Sequence, residues 1–344
     1  MNTEIFKLLP DESNNPAIEK AAKIICGGGL VAFPTETVYG LGGDATNPSA
    51  AKNIYKAKGR PSDNPLIIHI ADPADAEIYA HTSETYYKLA SAFMPGPLTV
   101  ILPKKETVPF EVTGGLDTVA VRCPSHSIAR ALIRSAGVAI AAPSANLSGS
   151  PSPTSGEHVI RDLNGRVNVI IDGGECDIGL ESTIIKLDGE CATLLRPGAI
   201  TADALSCICS KVDIAPAVTE SLKENERPLS PGMKYRHYAP KAPLILLDGD
   251  EDEVLSYMFR RQNAERCVII CYDEELDHLR NERIISIGAR DDLDMQAHSL
   301  FSALRLADEL DGEVVYAHLP SKEGVGLALY NRLIRAAAHT ILEV

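Results

Sequence analysis

A short basic segment at the end of a predicted helix is the first candidate for phosphate chemistry. Lys56, Lys58 and Arg60 lie around Gly59, and the helix is predicted over residues 49–58. Basic side chains also complement the negative end of a helix dipole, and the segment alone favours that plain role. Such a turn can nevertheless direct several cations towards one anionic ligand.

Small polar residues after a predicted strand form the second candidate. Ser144, Asn146 and Ser148 follow the strand predicted over residues 138–142. Open α/β sheets present ligand-binding groups at such strand ends, and these side chains could bind ribose or phosphate oxygens. Ser and Asn are also the usual turn and capping residues, and each one alone favours that role.

The glycine spacing excludes the two most familiar phosphate-binding loops. The sequence has no GxxxxGK[ST] segment, and Gly40, Gly42 and Gly43 do not have the GxGxxG spacing. These glycines favour a tight turn after a strand. Any nucleotide must therefore be held by other groups.

A third set of polar residues could bind a small substrate. The Thr-Glu-Thr run at residues 35–37 interrupts an apolar strand end, and its Thr35 hydroxyl could orient a polar ligand. Arg122, at the end of a predicted strand, could bind a carboxylate through two parallel hydrogen bonds, which lysine does less specifically. His69 lies inside an apolar run, which alone favours a buried core histidine.

The elements that must position these residues alternate between helices and strands. Helix-separated and hairpin-like connections both occur, which predicts an α/β fold with a twisted, mixed open sheet. Residues 1–212 form the first predicted domain, and residues 213–243, rich in Pro and charge, form a linker. The α/β pattern restarts at residues 244–344, which predicts a smaller, doubly wound C-terminal domain.

Composition limits the class of partner. The 344 residues carry a net charge of −14, and residues 243–344 hold 10 Lys and Arg against 20 Asp and Glu. This charge disfavours tight binding to tRNA or duplex backbones, which requires clustered cations. The apolar runs are too short to span a membrane, and the N-terminus lacks an export signal, so we expect a cytoplasmic protein. The eight cysteines show no CxxC pair, and no metal site is expected.

Taken together, the motifs resemble those of the YrdC-like threonylcarbamoyl-adenylate synthases, in their long, two-domain form. The resemblance covers roughly residues 10–205 and continues into the linker segment 230–240 (SPGMKYRHYAP). It is carried by the segments 34–41 (PTETVYGL), 58–60 (KGR), 64–66 (NPL), 95–99 (PGPLT), 144–146 (SAN), 181–183 (EST) and 195–198 (LRPG).

The resemblance implies a role for each matching residue. The ATP-binding group would comprise Lys58, Arg60, Ser144, Asn146, Ser152 and Arg196, with Lys58 and Arg60 as the catalytic cations. The threonine-binding group would comprise Thr35, His69, Arg122 and Ser182. The linker residues Tyr235, His237 and Tyr238 would fold over the pocket and help to hold the nucleotide.

The reaction implied by the resemblance joins L-threonine, bicarbonate and ATP into threonylcarbamoyl-AMP and pyrophosphate. This is the first step in forming threonylcarbamoyladenosine in tRNA, with ATP as a substrate accompanied by Mg²⁺. A separate tRNA threonylcarbamoyl transferase machinery would receive the product. Two alternatives remain open at this stage: a non-catalytic RNA-binding module, and a carbamoyltransferase-like enzyme with a different acceptor.

Overall fold

The computed structural model describes residues 2–9, 11–220 and 238–344. These residues form two compact units. The larger unit takes residues 2–148 and 152–220, and the smaller unit takes Gly149–Pro151 and residues 238–344. Within the described ranges, no helix combines the length and the apolar character needed to cross a membrane.

The larger unit is built on one mixed sheet of 11 strands. The strands are β1 (Glu4–Lys7), β2 (Val31–Phe33), β3 (Gly40–Asp44), β4 (Ile67–His69), β5 (Leu98–Pro103), β6 (Thr118–Arg122), β7 (Ile140–Ala142), β8 (Val169–Asp172), β9 (Thr183–Asp188), β10 (Cys191–Arg196) and β11 (Lys211–Ile214). Their order in the sheet is β1-β8-β2-β3-β7-β4-β6-β5-β9-β10-β11. Both parallel and antiparallel pairs occur in it, which confirms the predicted mixed sheet.

Helices of the larger unit pack against this sheet. They are α1 (Pro16–Cys26), α2 (Pro48–Lys58), α3 (Ala76–Tyr79), α4 (Glu84–Phe93), α5 (Phe110–Thr113), α6 (Ser127–Ala136), α7 (Gly156–Leu163) and α8 (Ala202–Ser206). The α1 face that contains Ile18 and Ile25 joins Leu132 of α6 in a core that also includes Phe33 of β2. This apolar layer fixes the sheet on which the polar site is built.

Helix α2 is closed at both ends by its own sequence. The Asn47 side chain accepts hydrogen bonds from the amides of Ser49 and Ala50 at the start of the helix. Gly59 ends the helix with φ 64°, a left-handed conformation that glycine adopts without steric cost. Lys58 therefore stands in the last turn, where it is buried.

The glycine-rich segment after residue 39 is a strand and not the predicted tight turn. Gly40–Asp44 form β3, which pairs antiparallel with β2 and with β7. A Cβ atom at Gly42 would lie 2.5 Å from Ile140 Cγ2 and 2.8 Å from the Phe33 ring. Glycine is thus required at residue 42 because the side chains of Ile140 and Phe33 leave no room for a Cβ atom. The interpretation of these glycines as a tight turn was wrong.

The smaller unit contains a parallel sheet of five strands in the order β14-β13-β15-β12-β16. Its strands are β12 (Leu244–Asp248), β13 (Cys267–Cys271), β14 (Ile284–Ser286), β15 (Val314–His318) and β16 (Ile341–Glu343). Its helices are α9 (Glu251–Ala264), α10 (Leu293–Ala307) and α11 (Gly326–Ala336). Leu247, Met258 and Ile269 lie in its own apolar core.

The start of helix α10 is set by a side-chain cap. The Asp292 side chain accepts a hydrogen bond from the Met295 amide and so starts the helix at Leu293. Two short strands of this unit, β14 and β16, have no long apolar run that would mark them in the sequence.

Candidate active site

Lys58 connects the two segments that the sequence suggested for nucleotide binding. Its side chain is 3% exposed, and Nζ donates to the backbone carbonyls of Ser144 and Asn146. Nζ also lies 3.2 Å from Asn146 Oδ1. The Ser148 amide in turn donates to the Lys58 carbonyl at 3.0 Å. The basic turn and the Ser-Asn segment are therefore one hydrogen-bonded structure.

Two other predicted nucleotide-binding residues also contact backbone or carboxylate oxygens. Arg60 Nη2 lies 3.2 Å from the carbonyl of Pro65, in the loop that leads into β4. Ser152 is fully buried and donates from Oγ to Glu181 Oε1 at 2.7 Å. Sequence reasoning did not single out Glu181, whose position directly before Ser182 was the available signal.

A row of polar residues crosses neighbouring strands of the sheet. Strand register places His69 of β4 opposite Arg122 of β6, and Arg122 opposite Thr99 of β5. Thr99 Oγ1 lies 2.7 Å from Ser182 Oγ, just before β9. Arg196, at the end of β10, donates from Nε and Nη2 to the carbonyl and the hydroxyl of Ser182, at 3.0 and 3.1 Å. Paired residues of adjacent strands share a face, so this register brings separate sequence motifs together.

Ser182 and Arg196 were assigned to different ligands by resemblance, yet they are hydrogen-bonded neighbours. Their contact places the predicted threonine-binding and ATP-binding groups side by side. Thr99 belongs to the same network and was not among the predicted site residues. In the sequence, Thr99 was marked only by its place in the PGPLT segment, residues 95–99.

Arg122 forms a buried ion pair that the sequence analysis did not predict. Its Nη2 lies 2.8 Å from Glu36 Oε1, and both residues are 4% exposed. The same nitrogen lies 3.5 Å from Thr35 Oγ1. Thr35 Oγ1 also lies 2.9 Å from Thr37 Oγ1 and donates to the Val38 carbonyl at 2.6 Å. The loop after β2 therefore reaches the guanidinium group at the end of β6.

His69 is neutral in this environment. Burial, followed by the nearby Arg122 guanidinium, lowers the pKa of His69 from 6.5 to about 3. Its Nδ1 lies 3.3 Å from the Ile140 carbonyl, and its ring meets the Phe33 ring edge to face at 6.0 Å. The imidazole can therefore form hydrogen bonds at neutral pH without carrying a charge.

The predicted lid residues are only partly described. Tyr235 and His237 lie outside the described residues. Tyr238 belongs to the smaller unit, where it is 5% exposed and has φ 64°. Its ring packs against Phe301 of α10, with centroids 5.1 Å apart.

Family models match both parts of the chain. Residues 23–198 match the Sua5/YciO/YrdC model, described as "Telomere recombination". Residues 200–338 match the model for the C-terminal domain of threonylcarbamoyl-AMP synthase. The chain belongs to the Sua5/YrdC family. It is a long member of the family, because it carries the Sua5 C-terminal domain as well.

Curated Sua5/YrdC relatives match the chain over nearly its whole length. The threonylcarbamoyl-AMP synthase of Bacillus subtilis is 44% identical over 96% of this chain and 95% of its own. The enzyme of the same name from Pyrococcus abyssi is 45% identical over 95% of this chain and 96% of its own. The crystal structure of P. abyssi Sua5 complexed with L-threonine matches with a TM-score of 0.89 at 40% identity, covering 100% of both chains.

Proposed function

We propose that this chain synthesises threonylcarbamoyl-AMP from L-threonine, bicarbonate and ATP, with release of pyrophosphate. The observation that carries the proposal is the near full-length similarity to two enzymes of that name, from a bacterium and an archaeon. The site geometry supports it, because a cationic segment and a buried polar row converge in one unit. That arrangement suits a reaction between a triphosphate and a zwitterionic amino acid.

The nucleotide side of the site would be formed by Lys58, Arg60, Ser144, Asn146, Ser152 and Arg196. Lys58 and Arg60 would stabilise the negative charge that develops on the leaving pyrophosphate. In the structure, the Lys58 ammonium is held by the carbonyls of Ser144 and Asn146. A phosphate oxygen would replace one of these carbonyls, and Mg²⁺ would arrive with the triphosphate as part of the substrate.

The amino-acid side would be formed by Thr35, His69, Arg122 and Ser182. Arg122 would bind the threonine carboxylate, since a guanidinium group matches the geometry of a carboxylate. The hydroxyls of Thr35 and Ser182 and the neutral His69 would supply hydrogen bonds that need no net charge. Together they would select a small hydroxyl-bearing amino acid.

The chemistry then follows from positioning. The threonine amine bonds to the carbon of bicarbonate and gives a carbamate with loss of water. A carbamate oxygen next attacks the α-phosphorus of ATP, and pyrophosphate leaves. Holding the reactants in one site removes much of the entropic barrier, and shielding from water protects the labile carbamate.

The product is an activated acyl donor and needs an acceptor elsewhere. We expect a separate transferase machinery to pass the threonylcarbamoyl group to tRNA. The net charge of −14 disfavours tight binding of tRNA by this chain itself. A cytoplasmic location, where tRNA and ATP are present, stays a prediction.

Pyrophosphate release tests the proposed function. ATP and bicarbonate are mixed with the protein without amino acid, with L-threonine, and with L-serine. Release that depends on threonine and is much weaker with serine would support adenylate synthesis and threonine selection together. A folded protein that releases no pyrophosphate under any condition would contradict the proposal, and salt-dependent tRNA binding would then favour the RNA-binding alternative.

A further inference from the structure

The buried pair Glu36–Arg122 is incompletely satisfied. Glu36 uses Oε1 to accept from Arg122 Nη2. Among the described residues, Glu36 Oε2 and Arg122 Nε have no hydrogen-bond partner, and both atoms are shielded from solvent. One buried acceptor and one buried donor thus remain unused in the same ion pair.

Such atoms are unusual in a folded protein. Nearly all buried polar atoms form a hydrogen bond, because an unsatisfied one loses its water without compensation. An unsatisfied carboxylate oxygen is especially unfavourable, since it carries charge. The pair therefore fits a site that is completed by a ligand.

The two unused atoms match the two charged groups of an amino acid. Glu36 Oε2 can accept a hydrogen bond from an ammonium group, and Arg122 Nε can donate one to a carboxylate. In an α-amino acid these groups are attached to one carbon atom. The pair could therefore bind the backbone of the substrate at both charged ends, while Thr35, 3.5 Å from Arg122 Nη2, lies beside it.

We propose that Glu36 is a catalytic residue that binds the substrate ammonium group through Oε2 and removes a proton from it. This inference rests on the proposed function, because it concerns the same threonine site. The ammonium group loses two protons in the reaction. The first passes to Glu36 and leaves a nucleophilic amine. The amine bonds to the bicarbonate carbon, and the second proton leaves with the bicarbonate hydroxyl as water.

The other titratable groups around Glu36 are poorly suited to this step. His69, with a pKa of about 3, is a weak base. Burial also lowers the pKa of His126. Burial raises the pKa of the thiols of Cys123 and Cys176, so that both stay protonated. Arg122 is already a cation, and Asp177, which also lies near Glu36, is exposed. The buried carboxylates Glu36 and Glu181 are left as the candidate acceptors.

Glu181 is the second buried carboxylate near the polar row. It is 5% exposed, and its Oε1 accepts a hydrogen bond from Ser152, a residue of the predicted nucleotide-binding group. It also directly precedes Ser182 in the chain. Its contacts associate it with the nucleotide side, whereas Glu36 contacts the residue expected to bind the threonine carboxylate.

The test separates proton removal from the rest of the reaction. The variant Glu36→Gln keeps the size of the side chain and an oxygen for Arg122, but it cannot accept the proton. Forward synthesis is measured by threonine-dependent pyrophosphate release. The second assay supplies threonylcarbamoyl-AMP, prepared with the wild-type enzyme, together with pyrophosphate, and measures ATP formation, a step that requires no proton transfer at nitrogen.

We expect forward synthesis by Glu36→Gln to fall about 100- to 10,000-fold, the usual contribution of a general base. ATP formation from threonylcarbamoyl-AMP should stay within about threefold of wild type, because the adenylate chemistry is intact. The matched control is Glu84→Gln, which changes an exposed carboxylate of α4 that pairs with Lys88. Both of its reactions should equal those of wild type.

Two results would overturn the inference: forward synthesis by Glu36→Gln close to wild type, or an equal loss in both assays. If the wild-type protein itself shows no threonine-dependent release, the proposed function and the inference fall together. If wild type shows threonine-dependent release but Glu36→Gln gives one of these two results, the proposed function stands and the proposed role of Glu36 is rejected.

A measurement on wild type applies even if the variant does not fold. The competitor is 2,3-dihydroxybutyrate, in which a hydroxyl replaces the ammonium group of threonine. The inference predicts binding at least about tenfold weaker than that of threonine, because a charge-assisted hydrogen bond is lost. Equal affinity for 2,3-dihydroxybutyrate and threonine would mean that no carboxylate binds the ammonium group, and would reject the proposal.

Discussion

Each unit of the molecule contains a buried glutamate paired with an arginine, and the two glutamates differ in how many of their oxygens have partners. In the smaller unit, Glu275 is 1% exposed and accepts from Arg290 Nη2 at 3.0 Å through Oε1. Its Oε2 accepts from the Tyr272 amide at 3.0 Å and lies 2.9 Å from His318 Nε2. In the larger unit, Glu36 has a partner for one oxygen only.

The ion pairs of the two arginines differ in the same direction, although Nε has no hydrogen-bond partner among the described residues in either Arg122 or Arg290. Arg290 pairs with both Glu251 and Glu275, and its guanidinium lies 5.4 Å from the Tyr272 ring centroid. The Tyr272 ring stacks on the His318 ring with centroids 4.6 Å apart. Arg122, by contrast, has Glu36 as its only ion-pair partner among the described residues.

The difference separates two uses of a buried charge. A carboxylate with partners for both oxygens holds a fold together, and losing it leaves its partners unpaired. A carboxylate with one unused oxygen is stable only as part of a larger cooperative structure and is available to a ligand. The Glu275 pair is of the first kind, and we infer that the Glu36 pair is of the second.

The largest effect is expected from removing Glu275, the glutamate whose two oxygens both have partners. Glu275→Ala should destabilise the smaller unit by about 3 kcal/mol, because the Tyr272 amide, Arg290 and His318 lose their acceptor together. Thermal unfolding measures this loss, and the kinetic constants of the folded variant should stay at wild-type values. A large loss of kcat at a temperature where the variant is folded would contradict the division into structural and ligand-binding pairs.

Arg122→Ala gives the next largest effect, and it acts on the substrate. The KM for threonine should rise about 100-fold or more, because a charge-assisted contact to the carboxylate is lost. The KM for ATP should change far less. Steady-state kinetics with each substrate varied in turn measures both values.

The control for this variant is Arg122→Lys, which keeps the positive charge near Glu36 but not the planar guanidinium. It should fold like wild type and lie between wild type and alanine in its threonine KM. Equal increases in both KM values for Arg122→Ala would contradict the assignment of Arg122 to the threonine carboxylate.

A pH-dependent effect is expected from the histidine beside the incomplete pair. His69 has a folded pKa of about 3 against an ordinary value of 6.5, so only the unfolded chain binds this proton between those values. The contribution of His69 to stability is therefore present above pH 6.5 and is lost as the pH falls towards 3. The slope is roughly 1.4 kcal/mol per pH unit.

His69→Gln should remove this slope from the pH dependence of unfolding of the larger unit. Denaturant titrations at several pH values between 4 and about 7 measure it. His81, which is exposed, provides the matched control, and His81→Gln should keep the wild-type slope. A wild-type slope in the His69 variant would show that this histidine is not buried in its neutral form.

The sequence predicted most helices and strands that carry regular patterns. Helix α2 follows its predicted residues closely, because its caps, its closing glycine and its apolar periodicity mark it. Strand β3 was missed because its glycines were interpreted as a turn. Gly42 is instead required because the side chains of Phe33 and Ile140 approach the strand closely. That reason depends on residues far apart in the chain.

The candidate site was predictable to a similar extent. The link between Lys58 and the Ser144–Asn146 segment, and the contact between Ser182 and Arg196, join residues that the motifs had selected. The partner of Arg122 was not predicted, because nothing in the run at residues 35–37 shows which strand end its glutamate faces. Whether a carboxylate has one partner or several is a property of packing, and sequence spacing does not contain it.

A crystal structure of this chain with L-threonine and a non-hydrolysable ATP analogue tests the central claim most directly. We predict Glu36 Oε2 within about 3.2 Å of the threonine nitrogen, and Arg122 hydrogen-bonded to the threonine carboxylate. A bound threonine whose nitrogen lies beyond hydrogen-bonding distance of Glu36, with Oε2 still unpartnered, would contradict the claim that the incomplete pair exists to bind the amino acid.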